Sequence, residues 1–520
     1  MRPLTTTQSK LQAALLVAVP VVCALIVVAV RLHRLDVALE RDEGEYAYIA
    51  QMFLRGEAPY TEAYTMKLPG VPLCYALAFV VFGETTRAIH LAGLIADMLS
   101  ALSIAWLCRS VAAPDGRASR ALPAIAASCF MVLSSLLCFE GFTANCEKFV
   151  VVFVASSFAV FAASRARAAI FGAGLLMGMA FLCKQQALPL LVLLCAMAGL
   201  RGGTGRPRLF DRAVFVLCAG FGILTPYIAT IISAIWLDVF DAFWFQTVSY
   251  ASKYVGISEE PMRLFLKVAR RMAAQPLLWF AVVGVVLLPI ARSIIVGARW
   301  TVVLWFVGAA LALSIGLHFR PHYFFYITAP LAVAAGTLAV SSRWFSLALN
   351  VCLLATLWLN SGNFFLRTDE EVSEAVYRQT IFNDAIHVAE LLAVETAPDE
   401  RVLILGSEPE LLFLANRRSV TPYIYFYPLL EPQPFAEAQQ REVIDDVLLS
   451  SPDHLVLSAR TLQQTIKHDR FYMREWTFDL LQNYEIVWPH AAPGPITPWN
   501  ITLYRESMYL MRRIAPPTLP

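Results

Sequence analysis

The hydrophobic positions of this chain gather into long continuous runs, such as Leu11 to Val30 and Phe149 to Ala163, instead of short alternating segments. Apolar runs of about 17 to 25 residues are what helices need to cross a hydrocarbon layer. Read along the chain, the pattern predicts spans near 11–30, 86–108, 121–138, 148–163, 168–183, 186–200, 213–236, 276–291, 300–317, 324–340 and 344–360, about eleven in all. The first run is long for the apolar part of a leader, and no small-x-small cleavage site precedes the charged stretch Arg31 to Glu45, so it reads as a retained span.

The polar segments between the runs alternate in charge. One set holds Arg109, Arg117, Arg120, Arg165, Arg167, Arg201, Arg206, Arg208, Arg212, Arg292, Arg299 and Arg343 against only Asp115 and Asp211, the bias of cytoplasmic loops. The other set then faces outward: Arg31 to Thr85, Glu140 to Glu147, a tight turn at Lys184, Leu237 to Gln275, and His318 to Tyr323. An odd number of spans puts the tail on the outer face as well.

Composition agrees with a polytopic membrane protein. Of 520 residues, 58% are hydrophobic and 15% charged, and the mean hydropathy is +0.60; a soluble enzyme carries about 25% charged residues. The net charge of +2 conceals two regions: residues 361–520 hold 13 Lys+Arg and 22 Asp+Glu, a balance of −9, which leaves +11 for the remainder. Within the tail, Arg401 to Gly406, His454 to Ala459, Tyr484 to Trp488 and Ile501 to Tyr504 read as strands, and Glu408 to Leu414 as a short helix. The expected architecture is therefore a polytopic α-helical membrane unit, residues 1–361, followed by a C-terminal soluble α/β domain, residues 362–520. Gly406-Ser-Glu-Pro reads as a strand-to-helix turn, and no glycine-rich phosphate loop is present. All ten cysteines precede the tail, with no disulfide framework and no CxxC pair, and His33, His90 and His318 have no metal-ligand spacing.

The chemistry concentrates after the first span, in Arg41-Asp-Glu-Gly-Glu-Tyr-Ala-Tyr48. Tyr46 to Leu54 has helical periodicity and is expected to lie along the membrane surface, with Asp42 and Glu43 at its N-terminal end. Carboxylates there have two readings, a cap with favourable dipole charge or a general base facing a cavity. Company on the same face favours the second: Lys67, Lys184, Arg320, His322 and Tyr323. Each cation taken singly is also explained by snorkelling to lipid phosphates. Together, carboxylates and separated cations suit a reaction whose leaving group is a lipid-linked phosphate. Asp97, in the second span, has either a functional role or a hydrogen bond inside the bundle and is left out of the site. Met262 to Met272 is amphipathic and basic, resting on headgroups or covering a lipid entrance. Trp236, Phe240, Phe243, Trp244, Phe245 and Tyr250 form an interfacial belt or stack on sugar rings.

Asp42-Glu-Gly-Glu-Tyr-Ala-Tyr48, Gly56-x-x-Pro-Tyr60, Met66-Lys-Leu-Pro-Gly70 and Phe82-Gly83 resemble the first outer loop of GT-C-type membrane glycosyltransferases of family 39, a group similar to protein O-mannosyltransferases and the lipid A aminoarabinose transferase. Arg320-Pro-His-Tyr-Phe-Phe-Tyr with Ala329-Pro-Leu331 resembles a later segment of that family. The resemblance implies Asp42 as base, Glu43 as its organising partner, and Lys67, Glu147, Lys184, Arg320 and His322 around the donor phosphate, Tyr323 serving there or as an interfacial anchor. Lys67 stands in Lys-Leu-Pro-Gly where the family has Lys-Pro-Pro. It further implies transfer of a sugar, with inversion, from a polyprenyl-phosphate donor to an acceptor hydroxyl on a protein, lipid or cell-envelope glycan. No obligate cofactor is expected, although Asp42 with Glu43 is a candidate for a divalent cation, and the partners are membrane lipids and not nucleic acid. The expected location is a bacterial inner membrane, with site and tail on the periplasmic face. A transporter or flippase for lipid-linked glycans is the alternative, and a catalytically silent assembly protein a third; the charges cluster at one face and no internal repeat appears, which argues against a transporter.

Overall fold

The computed structural model describes residues 6–113, 117–201, 209–254, 260–467, 471–489 and 507–514. The apolar runs of the sequence are helical in the main. Among the described residues, five helices are long and apolar enough to cross a membrane: Thr86–Val111, Cys146–Ala163, Leu209–Trp236, Val296–Leu317 and Pro321–Ala339. Pro261–Ala273 and Pro276–Ile290 meet at 103° and make a sixth if they count as one broken span. Shorter apolar helices include Val17–His33, Arg120–Leu133, Arg167–Cys183, Gln185–Leu200 and Arg343–Leu359. Small residues let neighbours approach closely: a Cβ on Gly174 would lie 2.3 Å from the Ala219 carbonyl oxygen, and one on Gly222 would lie 2.2 Å from that of Phe171. The outer side of Leu209–Trp236 stays uncovered, only 17% of its most apolar window being buried, as suits a lipid-facing helix.

The segment after the first helix is more ordered than a loop. Arg41–Arg55 is helical from five residues before the expected start, and Gly70–Phe82 forms a second, unexpected helix beside it. The first ends at Gly56, whose φ of 72° is the left-handed conformation glycine adopts without penalty. Thirteen apolar residues are too few to signal a span, so hydropathy alone leaves Gly70–Phe82 inside the loop.

Beyond residue 361 come helices Asp369–Tyr377 and Ile381–Glu395 and then a five-stranded mixed sheet. Its strands are β1 (Arg401–Leu405), β2 (Arg418–Ser419), β3 (His454–Ser458), β4 (Tyr484–Trp488) and β5 (Met508–Arg513), in the order β2-β1-β3-β5-β4. β1 runs parallel to β2 and β3, with Leu403 opposite Leu455, while β5 runs antiparallel to β3 and β4. The short helix is Glu410–Ala415, β5 was not expected, and the strand expected at Ile501 to Tyr504 lies outside the described residues.

Alternation along β1 sends its two faces to different places. Val402 and Ile404 join one continuous core with the membrane helices, from Cys23 and Val27 through Tyr75, Phe130 and Leu331 to Val456 and Leu510. Leu403 and Leu405 join a second core with Leu455, Leu457, Tyr64 and Tyr250. The sheet is thus packed into the membrane unit, and the end of β1 delivers Gly406-Ser-Glu408 to the start of helix Arg41–Arg55.

Candidate active site

Helix Arg41–Arg55 brings Asp42, Glu45 and Tyr46 to one face, since residues three and four apart are neighbours on a helix. All three meet Lys67. Its Nζ lies 2.7 Å from Asp42 Oδ1, 2.5 Å from Glu45 Oε2 and 4.3 Å from the centre of the Tyr46 ring. The loop that carries the lysine is braced on several sides. Thr65 Oγ1 donates to Glu45, Thr65 N donates to Gln246 Oε1 at 2.9 Å, and the Tyr60 hydroxyl donates to the Lys67 carbonyl at 3.1 Å. Gln246 in turn donates to the Tyr60 carbonyl at 2.7 Å. Burial alone would raise the Asp42 carboxyl, but Lys67, then His322 and Arg320, outweigh it and hold it below the ordinary carboxylate range. Burial likewise opposes the charge on Lys67, and Asp42 and Glu45 more than restore it. Nearby Glu40, burdened first by burial and then by the Asp42 charge, is pushed up to about 8.

Glu43 points the other way. It is fully buried and accepts from Ala144 N at 2.6 Å, Glu40 N at 3.2 Å and the Tyr377 hydroxyl at 3.3 Å, with His90 Nε2 3.3 Å away. It ties the start of the helix to the turn before Cys146–Ala163 and to helix Asp369–Tyr377. Asp42 and Glu43 therefore serve different partners, and among the described residues no group of three His, Cys, Asp or Glu gathers in a metal-like cluster.

The remaining expected residues form a second group. His322 Nδ1 lies 2.7 Å from Glu140, and the ring centre lies 5.0 Å from that of Tyr323. Glu147 is buried and paired with Lys184, whose Nζ sits 3.9 Å above the Tyr323 ring. Lys184 occupies an extended break, φ −161° and ψ 126°, between two helices, which is how a cation stands inside so apolar a stretch. Glu147 and Lys184 lie within electrostatic reach of His322, and His322 and Arg320 within reach of Asp42.

Several residues were not singled out from the sequence. Glu45 stands three residues after Asp42, so helical spacing was an available signal. Glu140 lay in an outer turn with nothing to mark it. Tyr425, whose hydroxyl donates to the Arg41 carbonyl at 2.8 Å and whose ring centre lies 6.0 Å from Lys67 Nζ, arrives only through tertiary structure. Arg41 pairs with Glu408 at 2.8 Å. Asp97 holds Arg31 at 3.0 Å and Lys148 at 2.6 Å, so it is bonded within the bundle. The aromatic cluster largely packs inward: Phe243 lies against Tyr60, Tyr250 against Tyr64 and Phe245 against Phe435, while Trp236 is exposed. An ionised carboxylate beside an ammonium, facing a cationic and imidazole-bearing wall, can take a proton from one reactant and stabilise negative charge on another.

No protein-family model matches the chain, and no curated protein matches its sequence. Solved structures do. ArnT from Cupriavidus metallidurans, determined with undecaprenyl phosphate bound, aligns over 95% of this chain and 98% of its own, with a TM-score of 0.56 at 14% identity. The chain has the GT-C fold of membrane glycosyltransferases. The Archaeoglobus fulgidus oligosaccharyltransferase, determined with a tethered acceptor peptide, aligns over 94% of this chain and 74% of its own at 13% identity and a TM-score of 0.49. Within the GT-C fold of this chain, helix Arg41–Arg55, the break at Lys184 and the segment Arg320–Tyr323 supply the two groups of side chains described above.

Proposed function

We propose that this chain is a family 39 type membrane glycosyltransferase that moves a sugar from a polyprenyl-phosphate donor to an acceptor hydroxyl. The observation that carries the reading is the Asp42–Lys67–Glu45 cluster, set within electrostatic reach of Arg320 and His322, on a GT-C fold. ArnT, aligned over nearly the whole of both chains, was determined with undecaprenyl phosphate bound, which supports a lipid-linked phosphate as donor here. In this reading Asp42 takes the acceptor proton as the acceptor oxygen bonds to the sugar's anomeric carbon, inverting it. A carboxylate held that low accepts the proton only once that bond is forming. Lys67 keeps Asp42 ionised and aimed, Glu43 fixes the helix start, and Arg320, His322 and Lys184, steadied by Glu147 and Tyr323, offset the charge on the departing phosphate. No metal is assigned a step.

The proposal extends to the architecture: about eleven spans, a catalytic membrane unit 1–361, and a tail 362–520 on the outer, periplasmic face of a bacterial inner membrane. The transporter alternative is not favoured, since the acidic and basic side chains gather around Asp42 and His322 and no internal repeat marks the sequence. The test is release of free polyprenyl phosphate from a panel of lipid-phosphate sugars by purified protein in lipid, with membrane extract as acceptor source. Release should fall by about 10²- to 10⁴-fold in Asp42→Asn while the protein stays folded. Donor binding without release in the wild type, across several extracts, would return the transporter reading.

A further inference from the structure

Among the described residues, His322 is bonded at one nitrogen: its Nδ1 meets Glu140 at 2.7 Å, and its buried Nε2 has no hydrogen-bond partner among them. An imidazole gripped at Nδ1 by a carboxylate has a fixed orientation and a stabilised cationic form, and its second nitrogen is left for a reactant. Glu140 itself is placed at a cost. Its backbone is left-handed, φ 54° and ψ 47°, a conformation uncommon outside glycine, asparagine and aspartate.

The turn that enforces this conformation is clamped from within the bundle. Lys148, paired with Asp97, donates to the Gly141 carbonyl at 3.0 Å, and the Glu140 carbonyl accepts from Thr143 N at 3.1 Å and Thr143 Oγ1 at 2.9 Å. Among the described residues, the charged and titratable groups that face this pair include Glu40, Asp42, Glu147, Lys184, Tyr323, Tyr377 and Arg271.

We propose that Glu140 and His322 form an acid dyad for the departing carrier phosphate, with His322 handing over the proton and Glu140 as its positioning residue; this rests on the transferase reading. The acceptor oxygen bonds to the anomeric carbon, and the bond from that carbon to the phosphate oxygen breaks with its electron pair going to that oxygen. The acceptor's proton passes to Asp42, while the Nε2 proton passes to the freed phosphate oxygen, leaving a neutral ring. Return of the Asp42 proton to His322 through solvent closes the cycle, so the acceptor's proton ends, in net terms, on the carrier phosphate.

The test compares wild type, His322→Gln, Glu140→Gln and Glu140→Asp in lipid nanodiscs, with melting temperature as the check on folding. Turnover of polyprenyl-phosphate sugars and binding of undecaprenyl phosphate are followed from about pH 5 to about pH 9, which spans the range in which imidazoles titrate. Wild-type turnover should fall on the alkaline side. His322→Gln should lose that limb, Glu140→Gln should move it to lower pH with Glu147 still holding part of it, and Glu140→Asp, which suits the left-handed backbone, should move it back. Binding to His322→Gln reports the carrier's own ionisation. A Glu140→Gln that lowers turnover by the same factor at every pH, or a His322→Gln that keeps the alkaline limb, overturns the dyad while leaving the transferase standing. Absence of turnover in the wild type with every donor overturns both.

Discussion

Lys67 is shared by two carboxylates, and this sharing decides the behaviour of the residue expected to act as base. Burial opposes the charge on Asp42, and the first group that reverses the balance is Lys67. Lys67→Gln removes that group and leaves only His322 and Arg320 against burial, so the acid limb of the pH–rate profile should move to higher pH; Lys67→Arg should hold it near the wild-type position. A profile that does not move in Lys67→Gln would detach Lys67 from the proton chemistry. At this scale the sequence was informative where chemistry is local: Lys184 stands out as a cation in an apolar stretch, Lys67 and His322 as polar residues beside apolar ones, and Asp42 as part of the charged cluster that follows the first span. Partners contributed by distant segments were not legible. Nothing near Glu140 announces His322, 182 residues away, and nothing near Arg41 announces Glu408, 367 residues away.

Helix Arg41–Arg55 is the element on which the site turns, and helix Glu410–Ala415 packs against it at Gly44. A Cβ on Gly44 would stand 2.5 Å from Glu410 N and 2.6 Å from its Cα, backbone atoms that cannot step aside without moving the helix. Gly44→Ala should therefore destabilise the protein by about 1–3 kcal/mol through overpacking, read as a lower melting temperature in detergent, and should reduce turnover by displacing Asp42 and Glu45. A variant with wild-type melting and turnover would contradict this packing. Glycine 44 sits inside a motif picked out for its carboxylates, and its steric role was invisible because the crowding neighbour comes from the tail. Long apolar runs and the short, continuously apolar strands β1 and β3 were readable because their pattern is intrinsic to the segment. Gly70–Phe82 was not, being too short for a span and too uniformly apolar to show a face.

Across the whole molecule, a buried charge cluster and a continuous core hold the parts together. Asp97 is fully buried and joins Arg31 to Lys148, which reaches the turn carrying Glu140. Asp97→Asn leaves two buried cations without their counter-charge and should cost about 3–5 kcal/mol, measured as loss of folded protein on size exclusion and a lowered melting temperature; wild-type stability would mean that water already reaches the cluster. The charge contrast between body and tail was legible in composition, but the degree of interlocking was not, because hydropathy reports each segment separately and says nothing of which core it joins. That interlocking sets an order in time. The carboxylate helix is made early in synthesis, whereas Glu408, Tyr425 and the Pro422 carbonyl that accepts from Tyr64 N at 2.7 Å are made near the end. A nascent chain thus holds its carboxylate helix without the contacts that brace Arg41 and the loop of Lys67 until residues 408–425 have been made and have packed against it.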